Sequence, residues 1–398
     1  MSGSQSALRE ANRGLIIETV HRHGGLTQVE LAGATGLSTA TVSTIVKELL
    51  AAGVVDTRNT TRSGRRAQMV TIARRVGLAV GIHIGVRQLR VALGDATREV
   101  LAEQTLPLPH EHRMDTSLDR AALLVTELLE RVGSSVDEVV GVGIALPAPV
   151  DAATGMISVR GMMSGWDEIH IGHVLSKRLG CPVFVDNDAN LGALAESVRG
   201  AARFFRDSVF VRASYGTGAG IVLGSQVHVG FAGTAGEIGH VQVDPDGELC
   251  RCGSRGCLDT VVGAAALTGA LRETHGTLTL RDIVQGAIDG DPGCARVIAE
   301  AGSSIGVVVA GLVIALNPQV VVVGGELAET GEILVAPLRE AIRQRVLPNQ
   351  IAPIEVVAAE LGQRAEVIGA LESVFRSTDF VARSTDSAVS MRDGDAHD

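Results

Sequence analysis

Residues 239–259, GHVQVDPDGELCRCGSRGCLD, hold Cys250, Cys252 and Cys257 within eight positions, ten residues after His240. A stretch this rich in soft ligands must fold back on itself until the side chains meet, so it constrains the chain more than any other segment. Three thiolates and an imidazole suit tetrahedral zinc, and four protein ligands close the shell, which marks a structural site. Glycine after Cys252 gives the backbone freedom to bring closely spaced sulfurs together. A redox pair is the competing reading, and it leaves the third cysteine without a role. Cys181 and Cys294 stand alone and read as buried apolar residues. An odd cysteine count, with no apolar signal segment in MSGSQSALREANRG, points to the cytoplasm.

At 398 residues the chain exceeds one ordinary core, and two or three domains are expected. The longest apolar run, IGVVVAGLVIAL (305–316), is short for a membrane span and fits a buried helix, so no membrane partner is expected. Net charge is −10, unevenly placed: residues 1–75 carry ten Lys/Arg against five Asp/Glu, and the remainder 25 against 40. A basic head on an acidic body suggests a polyanion bound at one end only. Aromatics make up 2% of the chain, which argues against base stacking on an aromatic platform.

In the head, Leu8, Ile16, Ile17 and Val20 recur at helical spacing. Thr27 with Glu30 forms a capping box for a second helix, Gly36 ends it, and Ser38 caps a third. Leu37 and Val42 fit a hydrophobic staple, and Val42, Ile45, Val46, Leu49 and Leu50 form the third helix's buried stripe. Helix, tight turn and helix, with Ser38, Thr39, Thr41, Ser43, Thr44 and Lys47 on or before the exposed N-terminal face, is what major-groove insertion requires. VVDTRNTTRSGRRAQMVTIA then alternates as two strands around a loop holding Arg58, Arg62, Arg65 and Arg66. The expectation is a winged helix-turn-helix over 1–75 whose basic wing grips double-stranded DNA. A three-helix protein-interaction module is the alternative.

From residue 76 strands alternate with helices, an α/β pattern. Strands are expected within 77–95, 139–150, 182–196, 208–224 and 318–327, several ending in Gly-rich turns of the kind that present backbone N–H groups to phosphate. The tail, 377–398, is polar and aperiodic and reads as disordered.

Taken in order, the segments of 76–376 resemble the actin-like, ribonuclease H-like superfold of sugar kinases and heat-shock ATPases. GEIGH (236–240) with CRCGSRGCLD (250–259), and NDAN (187–190), resemble the ROK family specifically, and the basic head resembles its sugar-responsive repressor branch. That resemblance implies two α/β subdomains around a cleft, a homodimer or homotetramer, and a structural zinc loop on His240, Cys250, Cys252 and Cys257 that shapes a sugar site. It also implies that Asn187, Asp188, Glu237, His240 and the acidic residue after the last cysteine hydrogen-bond the sugar. That last residue is usually Glu; here it is Asp259, one methylene shorter.

In a kinase of the family Asp188 would be the general base. Such a kinase also carries Asp-x-Gly-Gly-Thr on an early strand turn. The matching stretch here is HIGVRQ (83–88), where His83 replaces the aspartate and Val86 and Arg87 replace Gly and Thr. A phosphoryl-transfer site needs a metal-associated carboxylate and close backbone approach to phosphate, and those changes remove both. Asp188 is therefore expected to be a vestigial base, and the chain a regulator, more a repressor than an activator, answering to a sugar or sugar derivative. A sugar kinase with a DNA-binding head, or a regulator answering to a protein partner, are the alternatives. Asp188 also reads as an N-cap for a helix starting near Ala189.

Overall fold

The computed structural model describes residues 2–377, except 24, 63–64, 74–76, 110–111, 152, 164, 168 and 348–352. The head is built from α1 (Ser2–His23), β1 (Leu26–Thr27), α2 (Gln28–Thr35), α3 (Thr39–Ala51), β2 (Val55–Arg62) and β3 (Arg65–Ile72). The capping box forms: Thr27 Oγ1 accepts from Glu30 N–H at 3.3 Å, and Glu30 Oε2 accepts from Thr27 N–H at 2.8 Å. Gly36, at φ +70°, turns the chain, and Ser38 Oγ accepts from Thr41 N–H at 3.1 Å to start α3. Val42, Ile45, Val46 and Leu49 bury the inner face of α3 against Ile16 and Leu31, while Leu50 is only half-buried. β1, β3 and β2 form an antiparallel sheet with β3 central, so β2 and β3 project as a hairpin. The boundary expected between 75 and 76 falls within residues outside those described, as does all of the expected tail except Ser377.

Two sheets of identical order make up the rest. The first comprises β4 (Leu78–Ile84), β5 (Gln88–Asp95), β6 (Val100–Pro107), β7 (Val139–Leu146) and β8 (Val183–Asn187), with α4 (Met114–Val132), α5 (Ile171–Leu179) and α6 (Asp188–Val198) between or after them. Its order is β6-β5-β4-β7-β8, an antiparallel meander followed by two strands parallel to β4. The second repeats the plan as β11-β10-β9-β12-β13, from β9 (Ser208–Ala213), β10 (Thr217–Leu223), β11 (Gln226–Val227), β12 (Val320–Gly324) and β13 (Glu355–Ala358). Between β11 and β12 lie the cysteine-rich segment and α7 (Asp259–Val262), α8 (Ala264–His275), α9 (Leu280–Ile288) and α10 (Pro292–Leu316). α11 (Glu332–Arg343) and α12 (Ala365–Phe375) are the last two described helices. This is the two-subdomain actin-like α/β fold behind a winged helix-turn-helix.

The halves are fastened by exchanged helices. α6 follows the first sheet but packs on β9 and β10, whereas α12 follows the second and packs on β4 and β7, and the two helices lie against each other. Glycine makes that contact possible. A Cβ on Gly143 in β7 would stand 2.0 Å from the Ala370 carbonyl oxygen of α12, and one on Gly369 would stand 1.8 Å from that of Leu191 in α6. Gly143 in the strand and Gly369 in the helix thus mark close backbone approach.

α10 runs 25 residues, twice the apolar run visible in sequence, and among the described helices it alone is long and apolar enough to cross a membrane. Its Ile298, Ile305, Val309 and Val313 face instead pack into the second subdomain's core.

Candidate ligand pocket and metal centre

A cavity of about 960 Å³ opens between the two sheets, lined among others by Asn187, Asp188, Glu237, His240, Arg251 and Asp259. Each reaches it from a chain reversal. Asn187 ends β8 and, rather than Asp188, caps α6: its Oδ1 accepts from Ala189 N–H at 2.8 Å and Asn190 N–H at 3.2 Å, and its Nδ2 donates to the Ala148 carbonyl at 3.1 Å. That corrects the expected cap, and it leaves Asn187 little unused hydrogen-bonding capacity. Asp188 is the first helical residue, which frees its carboxylate to face the cleft.

Glu237 precedes the short turn Ile238–His240. Burial, and then the charges of Asp188 and Asp259, push its carboxyl up to about 7. Asp259 starts α7; its Oδ1 accepts from Thr217 N–H at 2.8 Å, tying the cysteine loop to the Gly-rich turn before β10, and burial raises its pKa. The shorter side chain thus still reaches the cavity, with one oxygen already committed to backbone.

His240, Cys250, Cys252 and Cys257 come together, with one ligand atom from each inside a 4.8 Å cluster. Cys250 Sγ lies 3.5 Å from His240 Nδ1, and Cys252 Sγ 3.7 Å from Cys257 Sγ. A tetrahedral zinc with Zn–S near 2.3 Å and Zn–N near 2.05 Å requires separations of about 3.5 Å and about 3.8 Å for such pairs. The donor set and its spacing therefore fit zinc. Bridges from Gln242 to Cys257 and from Leu249 to Arg255 fold the loop so that the sulfurs converge. Cys181 and Cys294 are both buried, but Cys294 is not isolated: with His275 and Asp291 it forms a second group of metal-capable atoms. Asp291 there caps α10 by accepting from Cys294 N–H at 2.7 Å, and it pairs with His275 Nε2 at 3.2 Å.

Sequence reading missed the centre of the cleft. Arg212, the one charged residue in the apolar strand β9, is buried, and its Nε donates to Glu366 Oε1 at 2.6 Å. Its Nη1 lies 3.4 Å from Asp188 Oδ2, and its Nη2 3.9 Å from Glu326. Burial opposes its charge, but Asp188, Glu366 and Glu326 outweigh burial and hold the guanidinium above its ordinary pKa. Burial raises Asp188 to about 6 even with Arg212 pulling the other way. A cation within an otherwise continuous buried strand was the available signal, since such a residue needs partners from elsewhere in the fold.

His83, near the end of β4, is fully buried, and neither ring nitrogen has a hydrogen-bond partner among the described residues. Its Nε2 lies 4.0 Å from Asp188 Oδ2. Burial, then the Arg212 charge, lowers its pKa to about 3, so the ring is neutral. Val86 lines the cavity and Arg87 is exposed.

In the head, Ser38, Thr39, Thr44 and Lys47 are exposed, and Thr41 and Ser43 half-buried. Three of the hydroxyls serve the helix itself: Ser38 and Thr41 lie 2.8 Å apart, and Thr44 donates to the Ala40 carbonyl at 3.0 Å. Arg62 pairs in register with Arg65, and Arg66 with Thr61, at the hairpin tip. Arg58 is not at the tip. It lies within β2 opposite Met69, and its Nη2 reaches Thr97 Oγ1 at 3.4 Å.

The ROK family model matches residues 79–376, and a winged helix-turn-helix DNA-binding model matches residues 9–56. The xylose repressor of Caldicellulosiruptor bescii is 26% identical over 388 residues, covering 94% of this chain and 97% of that protein. The DNA-binding transcriptional dual regulator NagC of Escherichia coli is 29% identical over 390 residues, covering 94% and 95%. Among solved structures, a ROK family transcriptional regulator described as a homolog of the E. coli MLC protein superposes with TM-score 0.75 at 26% identity, covering 96% of this chain and 99% of that one. A ROK family glucokinase from Streptomyces griseus, in complex with glucose and AMPPNP, gives TM-score 0.67 at 27% identity, covering 75% and 99%.

Proposed function

The chain belongs to the ROK family, and from that membership we propose that it is a DNA-binding transcriptional repressor of carbohydrate metabolism, governed by a sugar or sugar derivative held in the cleft. The observation that carries this reading is coverage. Similarity to the xylose repressor and to NagC runs over 94% of the chain, through head and body alike. A regulator needs both parts, and a kinase needs only the second.

On this reading Thr39, Ser43 and Lys47 meet the DNA operator directly. Ser38, Thr41 and Thr44 first stabilise the α3 N-terminus that presents them, and the hairpin arginines Arg62, Arg65 and Arg66 grip phosphate. Asp188, Glu237, His240 and Asp259 accept or donate to sugar hydroxyls, and Asn187 chiefly holds the α6 N-terminus in place. Zinc on His240, Cys250, Cys252 and Cys257 would supply rigidity, keeping His240 and the loop before Asp259 in one geometry. The protein works in the cytoplasm as a homodimer or homotetramer, which sets two heads on paired half-sites.

Phosphoryl transfer is the second reading, favoured by the glucokinase likeness. Arg212 and neutral His83 weigh against it. A fixed cation already neutralises Asp188, and no carboxylate stands at position 83 to associate with a nucleotide's metal.

Ligand control requires different effector affinity in the DNA-competent and incompetent states. A contiguous route for such coupling starts at α6, whose first residue faces the cavity. At its far end Arg199 Nε donates to Glu372 of α12 at 2.6 Å, and Glu372 pairs with Arg98 at 2.8 Å. Arg98 follows Thr97, the body residue that Arg58 of the head touches.

The deciding experiment selects genomic fragments on the purified protein and then adds a sugar panel. Sequence-preferring DNA binding released by one sugar is expected. Absence of DNA preference at physiological salt, or sugar-dependent ADP release in a coupled assay, would overturn the reading.

A further inference from the structure

Away from the cysteine-rich loop, a second set of donor atoms converges among the described residues, where α8 ends and α10 begins. His275 is the last residue of α8, Asp291 is the N-cap of α10, and Cys294 lies in the first turn of α10. One ligand atom from each falls within 4.8 Å of the others. His275 Nε2 stands 3.2 Å from each Asp291 carboxylate oxygen. A nitrogen and an oxygen bound to one tetrahedral zinc lie about 3.3 Å apart, given Zn–N and Zn–O bonds near 2.05 Å. Oδ1 is engaged in capping, accepting from Cys294 N–H at 2.7 Å, so Oδ2 is the oxygen left for a further partner.

Hydrogen bonding behind the ring sharpens the question of what that partner is. Thr274 donates its hydroxyl to the Leu271 carbonyl at 3.2 Å, so its oxygen accepts from His275 Nδ1 at 2.7 Å. With the proton on Nδ1, a neutral ring turns the Nε2 lone pair toward the Asp291 carboxylate. Something positive must lie between them, either a second ring proton or a metal ion. A ligating imidazole needs the same support behind it, since its other N–H fixes tautomer and ring orientation.

Cys294 favours the metal. A proton on Nε2 would serve His275 and Asp291 and leave the sulfur without a role. The backbone also keeps room for the donors. A Cβ on Gly286 of α9 would stand 2.9 Å from Cys294 Sγ, and one on Gly293 would stand 2.9 Å from His275 Cε1. Sulfur, imidazole and one carboxylate suit zinc or another late first-row ion, not magnesium or calcium, which take oxygen shells. The His275 and Asp291 side chains are 27% and 36% exposed, so a fourth position would open to water.

We infer that His275, Asp291 and Cys294 form a second metal site, for zinc or a similar borderline ion, separate from the cysteine-rich loop. Three protein ligands and an open position make it an exchanging site, filled when free zinc is supplied, whereas the four-ligand loop is closed. The ion fastens the end of α8 to the start of α10. Ala264 and Ala265, at the other end of α8, line the cleft cavity, so the metal steadies a helix that borders the ligand pocket. The inference does not depend on the sugar-binding reading.

The test dialyses full-length protein against micromolar free zinc, beside His275→Gln and Cys294→Ser, and counts zinc per chain by elemental analysis. Wild type should hold one equivalent more than either variant. Its melting temperature should also rise on zinc addition by about 2–4 °C more than theirs. Magnesium should reproduce neither effect. Should Cys294→Ser melt too early to compare, Cys294→Ala takes its place, and Asp291→Asn, which keeps a capping oxygen, should lose the same equivalent. Equal zinc in wild type and all variants overturns the inference. An extra equivalent that survives loss of the sulfur, or that magnesium supplies equally well, overturns it too.

Discussion

The Asp188 carboxylate lies 3.4 Å from the Arg212 guanidinium, across the junction between the α6 N-terminus and the second sheet. Arg212 also holds Glu366 of α12, so one cation joins the exchanged helices to β9. The residue that would act as a base in a kinase is here a member of an internal ion cluster.

Removing that cation leaves several buried carboxylates uncompensated. Arg212→Met should therefore destabilise the body by about 3–5 kcal/mol, and Arg212→Lys by less, since an ammonium keeps the charge but not the fork geometry. Urea denaturation followed by circular dichroism measures this; a loss under about 1 kcal/mol would mean the cluster contributes little.

His83 gives the protein an acid-side dependence. Its folded pKa of about 3 lies below the ordinary value of 6.5, so its contribution is present above pH 6.5 and is lost as pH falls from there toward 3. Arg212 and Arg90 reinforce the depression, and Glu326 opposes it. Asp188, raised to about 6, works in the opposite sense: its penalty applies above pH 6 and disappears below about 4. His83→Leu should match or exceed wild type at pH 7, and its advantage should grow below pH 6.5 by at most about 1.4 kcal/mol per pH unit. A constant gap between pH 7 and pH 5 would show that His83 does not titrate on unfolding.

Purified protein should carry zinc, and Cys252→Ser should lose it along with thermal stability. Cys294→Ser serves as the control, because Cys294 belongs to the His275–Asp291 group instead. Elemental analysis decides: full zinc in Cys252→Ser removes that ligand from the set, and loss in Cys294→Ser alone moves the metal to the other group.

In the head, cap and contact separate. Ser38→Ala should cost about 1 kcal/mol of head stability as well as DNA affinity, whereas Thr39→Ala and Lys47→Ala should lower affinity alone. Arg65→Ala and Arg66→Ala should each weaken binding on any sequence and reduce the salt slope by about one. Binding isotherms between low and moderate salt measure this, and unchanged slopes would remove the hairpin from the interface.

Glu372→Gln should blunt the sugar's effect on operator affinity, because it breaks the link from Arg199 to Arg98. The ratio of DNA dissociation constants with and without effector is the readout. A ratio equal to wild type in a folded Glu372→Gln protein would exclude that route.

Local chemistry was legible in the chain. The Thr27–Glu30 box, the Gly36 turn and the Ser38 cap depend on residues within four positions of one another, and the structure has all three. Alternating strands and helices were enough to read an α/β body, and the cysteine spacing a convergent ligand cluster; the two subdomains around a cleft came from the family resemblance. The α6 cap was misread by one position, because Asn187 and Asp188 are equally good caps in sequence. What chose between them was the Ala148 carbonyl, 39 residues away, which fixes Asn187 in the capping geometry. Arg212 stood out in sequence only as a lone cation in an apolar strand, and its partners were hidden for the same reason: Asp188, Glu326 and Glu366 lie far from it along the chain. The sequence alone therefore determined the alternation of strands and helices, the caps within the head and the convergence of His240, Cys250, Cys252 and Cys257, whose signals are short-range. Only the tertiary structure decided the exchange of α6 and α12, the ion cluster and the cavity between the sheets, because each exists only once distant segments have buried one another's charges and apolar faces.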